Sequence, residues 1–427
     1  MAKHKYRAVA LQSVDVAALV EVLGTRVVVA LDIGKEEVFA AMMDETERVH
    51  VTVKWRQPAE GPAFVSFVRR LGASRRVEVV MEPSSTYGDP VRAALEAADV
   101  PIHRVNPKRS HDASEVYDGV PSWHDAKSAA VVGKLHLDGA SEPWPIRGDD
   151  ERALAAALRV LWIHQKEFGR NRDRLEGLMA RHWPELCAVL DFGSATCLEL
   201  LCAFGGPGEV TAREAEAREL MRRVGGRYLL QEKIDLTIAS AARTFGMGQV
   251  EEERQLVRVV AAEARRSATE ARRARRRVEA LTDRNESAVR MRSTVGRTTA
   301  AVLVASVGDP LNYHSPGAYL KSLGLNLKEK SSGKEKGALH ITKRGPSVAR
   351  MFLYMAALRM IARDPVTRAW FAQKVRRSGG KEKSKGVVAI MRKITKAMWH
   401  VVRGSPFDST RLFDVRRLGD PHLAVAK

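Results

Sequence analysis

The sequence has few cysteines and no long apolar run. It holds three cysteines, Cys187, Cys197 and Cys202, and no two of them have the CxxC spacing of a structural zinc site. Their apolar neighbours favour reduced thiols in a protein core. No stretch approaches the roughly 20 apolar residues of a membrane helix, and no apolar signal segment follows Met1. These absences predict a cytoplasmic protein without a membrane partner.

Acidic residues are outnumbered by basic ones. The 427 residues include 71 Lys and Arg against 51 Asp and Glu, which gives a net charge of +20 and a pI near 10.1. Such an excess favours polyanionic partners, and nucleic acid is the first candidate, although a ribosome- or heparin-binding protein has the same balance. The length predicts two to four structural units.

The N-terminal third alternates short apolar runs with helical patterns. The run 26–33 is β-branched and apolar, and strands are also predicted at 37–43, 48–54, 77–81 and 101–105. Helices are predicted at 60–72, at 88–98 and from about 123. The resulting order β-β-β-α-β-α-β-α is that of the RNase H-like fold, in which the first and fourth strands lie side by side.

Three carboxylates follow from that order as a candidate metal site. Asp32 ends the first strand, Glu82 ends the fourth, and Asp125 lies in the first turn of the last helix. Converging carboxylates suit Mg²⁺, which coordinates phosphate oxygens and activates a nucleophile. Taken singly, each also has a structural interpretation: a turn before Gly34, a strand-end charge before Pro83, and a helix N-terminal acid.

The middle of the chain is rich in helix-forming residues. Residues 151–180 carry a recurring leucine face, and 184–248 read as short helices with loops at 204–208 and 224–226. Residues 251–291 show apolar or small residues at alternating steps of three and four, which predicts a heptad seam. The partner helix could lie in the same chain or in a second copy. Arginines off the seam, including Arg272 and Arg276, could contact phosphates.

The C-terminal third contains a polar stretch that could hold a nucleophile. Ser331 and Ser332 precede Gly333, and lysines, including Lys334, flank them. A glycine permits a sharp turn that exposes the hydroxyl, and nearby ammonium groups could hold a phosphate against it. Taken alone, the stretch is more typical of a flexible polar turn.

Other C-terminal residues are candidates for contacts to nucleic acid. The turn around Gly296 and Arg297, before an apolar helix, resembles a helix-hairpin-helix, whose backbone N–H groups bind phosphate without reading sequence. Lys343 and Arg344 follow the serines. Trp370 and Phe371 could stack on bases, although core packing is the safer interpretation. A further basic loop holds Arg376, Arg377, Lys381, Lys383 and Lys385.

These motifs together resemble one family. The N-terminal segments Leu31-Asp32-Ile-Gly-Lys, Met81-Glu82-Pro, Val105-Asn106-Pro107 and His124-Asp125-Ala-Lys-Ser128-Ala look like the RuvC-like DEDD domain of the bridge-RNA-guided insertion-sequence transposases. The C-terminal order of hairpin, Ser-Ser-Gly, Ile-Thr-Lys-Arg-Gly and Tyr354-Met-Ala-Ala-Leu is similar to the transposase domain of the same family.

The resemblance implies a serine that attacks DNA, and Ser332 matches the nucleophile position better than Ser331. It also implies Mg²⁺ on the carboxylates, a structured guide RNA, donor and target DNA, and a dimer or tetramer assembled through the coiled coil in the bacterial cytosol or nucleoid. Ser128 stands where the family carries a further Asp. Either Asp118 compensates, or metal affinity is lowered, or the site is impaired.

The sequence therefore predicts an α/β plus α chain. An N-terminal segment (1–25) precedes an RNase H-like (RuvC-like) mixed sheet (26–146), a helical and coiled-coil linker (147–290) and a mostly helical C-terminal domain with a helix-hairpin-helix (291–427). The predicted activity is that of a DNA transposase or recombinase. The alternatives are a metal-dependent junction nuclease and a catalytically impaired nucleic-acid-binding homologue.

Overall fold

The protein is described here by a computed structural model. The described residues are 7–83, 86–117, 124–146, 148–332, 335–415 and 418, without the side chains of 330–332, 335, 336 and 338. The chain forms two compact units, Met1–Ile146 and Arg147–Lys427.

The first unit is a seven-stranded mixed sheet with helices on its two faces. Its spatial strand order is β1-β4-β3-β2-β5-β6-β7, in which β2, β3 and β4 are antiparallel neighbours and β2 pairs in parallel with β5. The five predicted strands and three predicted helices are confirmed, as is the adjacency of the first and fourth predicted strands. The elements are β1 Ala8–Ala10, α1 Val16–Val22, β2 Arg26–Ile33, β3 Glu37–Asp44, β4 Val49–Arg56, α2 Gly61–Gly72, β5 Arg76–Met81, α3 Asp89–Glu96, β6 Ile102–Val105, α4 Pro107–Ala113, α5 Asp125–Leu137 and β7 Ser141–Pro143.

Strand β2 is apolar from Val27 to Leu31 because both of its faces are covered. Val27, Val29 and Leu31 pack in the core that includes Phe64 of α2, whereas Val28 and Ala30 face α5. A strand buried on both sides needs apolar residues at every position, which explains the unbroken run. The apolar run ends at Asp32, whose carboxylate lies on the α5 face of the sheet.

Four elements of this unit, β1, α1, α4 and β7, were not predicted. Strand β1 pairs in parallel with β4, and Leu11, Val16 and Leu19 are buried, so the segment before Arg26 contributes to the sheet and its core. Helix α4 follows Asn106, whose side chain caps it by accepting a hydrogen bond from the N–H of Lys108. Strand β7 pairs with β6.

Gly133 lets α5 lie close to the sheet. A Cβ added there would stand 2.6 Å from Sδ of Met43 and 2.9 Å from Cβ of Ala30. Both distances are below van der Waals contact, so any side chain at this position would push α5 away from β2 and β3.

We therefore expect Gly133→Ala to destabilise the protein by about 1–3 kcal/mol, because α5 must shift or its neighbours must repack. Urea unfolding followed by circular dichroism measures the change. Gly177→Ala is the matched control, because Gly177 is also helical and has nothing within 4 Å of an added Cβ. The control should be neutral or slightly stabilising, and equal losses in both variants would contradict the close approach.

The second unit is built of helices and one two-stranded sheet. The helices are α6 Asp149–His182, α7 Leu186–Val189, α8 Ala195–Phe204, α9 Pro207–Ala212, α10 Glu214–Gly225, α11 Gln231–Ala242, α12 Glu251–Leu281, α13 Glu286–Val295, α14 Arg297–Val307, α15 Pro316–Ser322, α16 Ser347–Arg363, α17 Pro365–Arg377 and α18 Lys383–Val401. Strands β8 Leu327–Ser332 and β9 Glu335–Ile341 form an antiparallel hairpin. Among the described helices, none is long and apolar enough to cross a bilayer.

The predicted seam of α12 is buried against α6 of the same chain. Early α6 (Leu158, Leu161) packs with late α12 (Ala271, Ala274, Val278), and late α6 packs with early α12, so the two helices run antiparallel. The small residues allow close approach, as predicted. The partner helix, which the sequence left open, is thus intramolecular.

The prediction of one continuous seam over 251–291 is wrong. Helix α12 ends at Leu281, and Asn285 caps α13 by accepting a hydrogen bond from the N–H of Ala288 at 2.8 Å. A capping amide satisfies a free N–H at a helix start and competes with helix continuation. The last part of the predicted seam therefore belongs to the next helix, which Asn285 caps and which contains Ala288.

Two further expectations need correction. Taken alone, the polar stretch Lys328–Ser332 was more typical of a flexible turn, but its backbone lies in β8. Cys187 is exposed, although all three cysteines were expected in a core; Cys197 is buried, Cys202 is partly buried, and all three are free thiols.

Candidate active site

The ends of β2 and β5 bring two carboxylates to one edge of the sheet. Leu31 pairs with Met81 in the parallel register, so Asp32 and Glu82 occupy the next positions of neighbouring strands. Their side chains alternate to the same face as Ala30 and Val80, which is the face that α5 covers. The adjacency predicted from strand order is therefore present.

The first turn of α5 completes the cluster. His124 caps the helix by accepting a hydrogen bond at Nδ1 from the N–H of Lys127, 3.2 Å away, and Asp125 is the first helical residue. Ser128 lies one turn further along and donates a hydrogen bond from its hydroxyl to Asp32. The helix start thus places an acid and a hydroxyl beside the strand-end carboxylates.

The electrostatics show that these carboxylates are close to one another. Burial, then the negative charges of Asp125 and Glu82, raise the pKa of Asp32 to about 6, and the hydrogen bond from Ser128 opposes that rise. Burial also raises the pKa of Glu82, against a hydrogen bond from Ser110. Mutual repulsion of this kind is relieved by a bound cation, and the all-oxygen donor set suits a hard divalent ion such as Mg²⁺.

A small pocket beside the cluster shows residues that sequence reasoning missed. It is lined by Glu82, Ser128, Val131 and three unpredicted residues, namely Ser110, Ser114 and Lys127. Ser110 and Ser114 come with the unpredicted helix α4. Lys127 is buried, and its position inside the Asp-Ala-Lys-Ser motif was the available signal. Asp118, the candidate to compensate for Ser128, lies outside the described residues.

The serine stretch lies at the tip of the β8–β9 hairpin. Its backbone pairs Ser332 with Glu335. The prediction on Lys334 lies outside the described residues, while Lys343 and Arg344 follow β9 and are exposed. Lys343 has a left-handed backbone, with φ of 55°.

The predicted phosphate-binding turn joins two packed helices. Gly296, with φ of 84°, links α13 and α14, and Arg359, which the sequence did not single out, donates to the carbonyl of Val295 at 3.0 Å. Arg297 is bound to Asp283, with 2.7 Å between Nη2 and Oδ2. A phosphate contact by Arg297 would have to compete with that carboxylate.

The other basic candidates are spread over α12 and α17. Arg272 and Arg276 are exposed, and Arg272 donates to Thr269. Trp370 and Phe371 are half-buried against the C-terminal core, as the core-packing interpretation predicted. Trp370 also lines a basic pocket with Lys374, Arg377 and Lys381.

A mixed sheet with converging strand-end carboxylates is the arrangement expected of a DEDD-type domain. A profile of this type, described as a transposase, matches residues 29–184, and a profile described as "Transposase IS116/IS110/IS902 family" matches residues 290–372. The chain belongs to the IS110/IS116/IS902 family of DNA transposases.

One relative shows how far this similarity extends. An "Insertion element IS110 uncharacterized 43.6 kDa protein" of Streptomyces coelicolor is 24% identical over 305 residues, which cover 67% of this chain and 72% of that protein. The profiles support DNA as substrate and the use of a divalent metal.

Proposed function

We propose that this transposase cuts and rejoins DNA through a covalent serine–phosphate intermediate, with Ser332 as nucleophile. The observation that carries the metal half of the proposal is the convergence of Asp32, Glu82 and Asp125, with Ser128 bound to Asp32. Mg²⁺ held by these carboxylates would neutralise charge on the phosphate and on the attacking oxygen. The serine half rests on the order of motifs from Gly296 to Tyr354.

The reaction conserves bond energy. The O–H bond of Ser332 breaks as a new Oγ–P bond forms, the P–O bond to one deoxyribose oxygen breaks, and that oxygen leaves as a hydroxyl with the proton given up by the serine. A sugar hydroxyl of the second DNA strand then attacks the phosphoserine, which restores the serine. Because each step exchanges one phosphodiester for another, no nucleotide triphosphate is needed.

Recognition of DNA is proposed to use the basic residues of the second unit and a structured RNA. Gly296, Arg297, Lys334, Lys343, Arg344, Arg272 and Arg276 are the proposed nucleic-acid contacts. The net charge of +20 supports binding to phosphate backbones. Assembly into a dimer or tetramer is proposed as well, but the small-residue seam of α12 is already covered by α6, so a self-contact needs another surface.

The direct test is capture of the protein–DNA adduct. The full chain, its co-purified RNA and DNA carrying the element's ends are incubated with Mg²⁺ or with EDTA, denatured and digested with protease. Mass spectrometry should then find a nucleotide on the peptide that contains Ser332, only with Mg²⁺. Mg²⁺-dependent cleavage without an adduct would overturn the serine mechanism and favour the junction-nuclease alternative, whose metal site needs no serine.

Ser128 gives a separate test of the carboxylate site. Ser128→Ala removes the hydrogen bond that favours ionised Asp32, so we expect about tenfold weaker binding of Mn²⁺, a spectroscopic substitute for Mg²⁺. Ser128→Asp adds a fourth carboxylate and should bind Mn²⁺ at least about tenfold more tightly. Electron paramagnetic resonance of free Mn²⁺ measures both affinities without requiring activity.

Ser114→Ala is the control for Ser128, because its hydroxyl lines the same pocket but donates to the carbonyl of His111. It should leave Mn²⁺ affinity within about twofold. Unchanged affinity in both Ser128 variants would show that Ser128 does not set the metal site. If the unaltered chain fails to recombine DNA and Ser128→Asp recombines it, the impaired-homologue alternative is correct.

A further inference from the structure

A second cluster of possible metal ligands lies on the same face of the sheet. Glu78 on β5, His103 on β6 and His136 near the end of α5 offer ligand atoms that all lie within 4.8 Å of one another. The sheet register places His103 opposite Val80, so it projects to the α5 face with Glu78. One carboxylate and two imidazoles from three elements therefore converge at one point.

The pKa shifts of Glu78 and His136 favour the forms of these two groups that bind a metal. Although burial raises it, hydrogen bonds from Arg26 and His136 lower the pKa of Glu78 to about 2. Burial lowers the pKa of His136, which favours the neutral imidazole, although Glu78 opposes this shift. An anionic carboxylate and a neutral imidazole are metal ligands without the loss of a proton.

His136 is also held as a metal ligand usually is. His136 Nδ1 lies 2.7 Å from Oγ of Ser141, which fixes the ring, while its Nε2 lies 2.9 Å from Oε2 of Glu78. The ring centres of His103 and His136 are 4.6 Å apart. Within the described part of the chain, Nδ1 of His103 is buried and has no hydrogen-bond partner, which is costly unless another ligand satisfies it.

We propose that Glu78, His103 and His136 bind one zinc-class divalent ion that fastens the end of α5 to the sheet. Two imidazole nitrogens and one carboxylate oxygen are a donor set that zinc and neighbouring transition metals accept and that Mg²⁺ disfavours. In a tetrahedral site with bonds of about 2.0 Å, ligand atoms lie about 3.3 Å apart, so the three side chains must close by about 1.5 Å at most.

Two arginines compete for Glu78. Arg26 contacts Oε2 at 2.8 Å and Arg76 contacts Oε1 at 3.2 Å, and their side chains are 38% and 78% exposed. Arg76 is mostly exposed and can turn into water, whereas Arg26 also lies 3.3 Å from Nε2 of His136 and has a buried Nε, so a bound ion would have to displace its guanidinium group. Ion binding would therefore replace two guanidinium partners of Glu78 by one divalent charge.

This site is distinct from the carboxylate cluster. His136 follows Asp125 by eleven residues on α5, which corresponds to about 16 Å along a helix. The two sites also differ in ligand type, since the cluster around Asp32 offers only oxygen. The proposed ion holds the far end of the helix whose first turn carries Asp125, and this proposal does not depend on the serine mechanism.

The test uses Co²⁺ as a visible substitute for Zn²⁺. Untagged full-length protein is stripped with a chelator, supplied with excess Mg²⁺ to fill the oxygen site, and titrated with Co²⁺. We expect one Co²⁺ per chain with the absorption bands of nitrogen-ligated, low-coordinate cobalt, displacement by Zn²⁺, and a Zn²⁺-dependent rise in melting temperature of several degrees.

His103→Gln should weaken Co²⁺ binding at least about tenfold and remove the thermal shift, because it deletes one nitrogen ligand. It keeps a polar side chain, and circular dichroism of the metal-free variant checks its fold. His164→Ala, a histidine on α6, is the control for adventitious binding and should behave as the unaltered chain. The proposal is overturned if the unaltered chain binds no stoichiometric Co²⁺, or if His103→Gln binds it unchanged.

Discussion

Asp32→Asn is expected to reduce DNA cleavage and strand exchange by at least about 1000-fold, while nucleic-acid binding stays within a few-fold. The carboxylate is central to the acidic cluster, since Asp125 and Glu82 both raise its pKa and Ser128 donates to it. An amide of the same shape removes a metal ligand and the negative charge, and metal-assisted stabilisation supplies several kcal/mol to such reactions. Gel assays of cleavage and electrophoretic shifts measure the two properties separately.

Glu36→Gln is the matched control, because Glu36 is exposed and only four residues away. It also removes one negative charge, so any effect of net charge on DNA binding appears in both variants. Full cleavage activity of Asp32→Asn, with Glu36→Gln unchanged, would show that the carboxylate cluster does not take part in the reaction.

Ser332→Ala is expected to abolish the covalent adduct and to lower recombination by at least about 10⁴-fold, because an alanine offers no oxygen to attack phosphorus. Ser331→Ala, its sequence neighbour, should retain the adduct. Denaturing gels with end-labelled DNA measure the adduct, and joined products measure recombination. The same variant leaves the carboxylates in place, so Mn²⁺ affinity should not change.

The outcomes of this pair separate the mechanisms. Loss in Ser331→Ala but not in Ser332→Ala would move the nucleophile by one residue. Cleavage that survives both substitutions but fails in Asp32→Asn would identify a metal-dependent nuclease that uses water. Loss in Ser332→Ala and in Asp32→Asn together is the result that the proposed composite mechanism requires.

The sequence predicted the elements whose signals are local. The run from Val27 to Leu31 is uniformly apolar because both faces of β2 are covered, and its β-branched residues favour a strand. Strand order alone then placed Asp32 beside Glu82, because the RNase H-like order makes their strands neighbours. The start of α5 at Asp125 followed from the small and apolar residues after it.

The parts that were not predicted depend on orientation or on distant partners. The hydrogen bond from Ser128 to Asp32 requires the rotation of α5 about its axis, which spacing does not reveal. The packing of α12 against α6 joins residues about a hundred positions apart. Strand β8 was missed because Lys328, Glu329 and Lys330 have low β-propensity, and pairing with β9 overrides it.

Because α6 and α12 run antiparallel, the segment 149–281 begins and ends near the same part of the second unit. The start of α6 and the end of α12 pack on Ala301, Val302 and Phe352. The opposite ends of the two helices share a separate core with α8, α10 and α11. An α-helix of 34 residues is about 51 Å long. Relatives could therefore lengthen or shorten both helices by matched turns without disturbing the flanking segments. In protein engineering, the small helices α8, α10 and α11 could be replaced while α6 and α12 are kept.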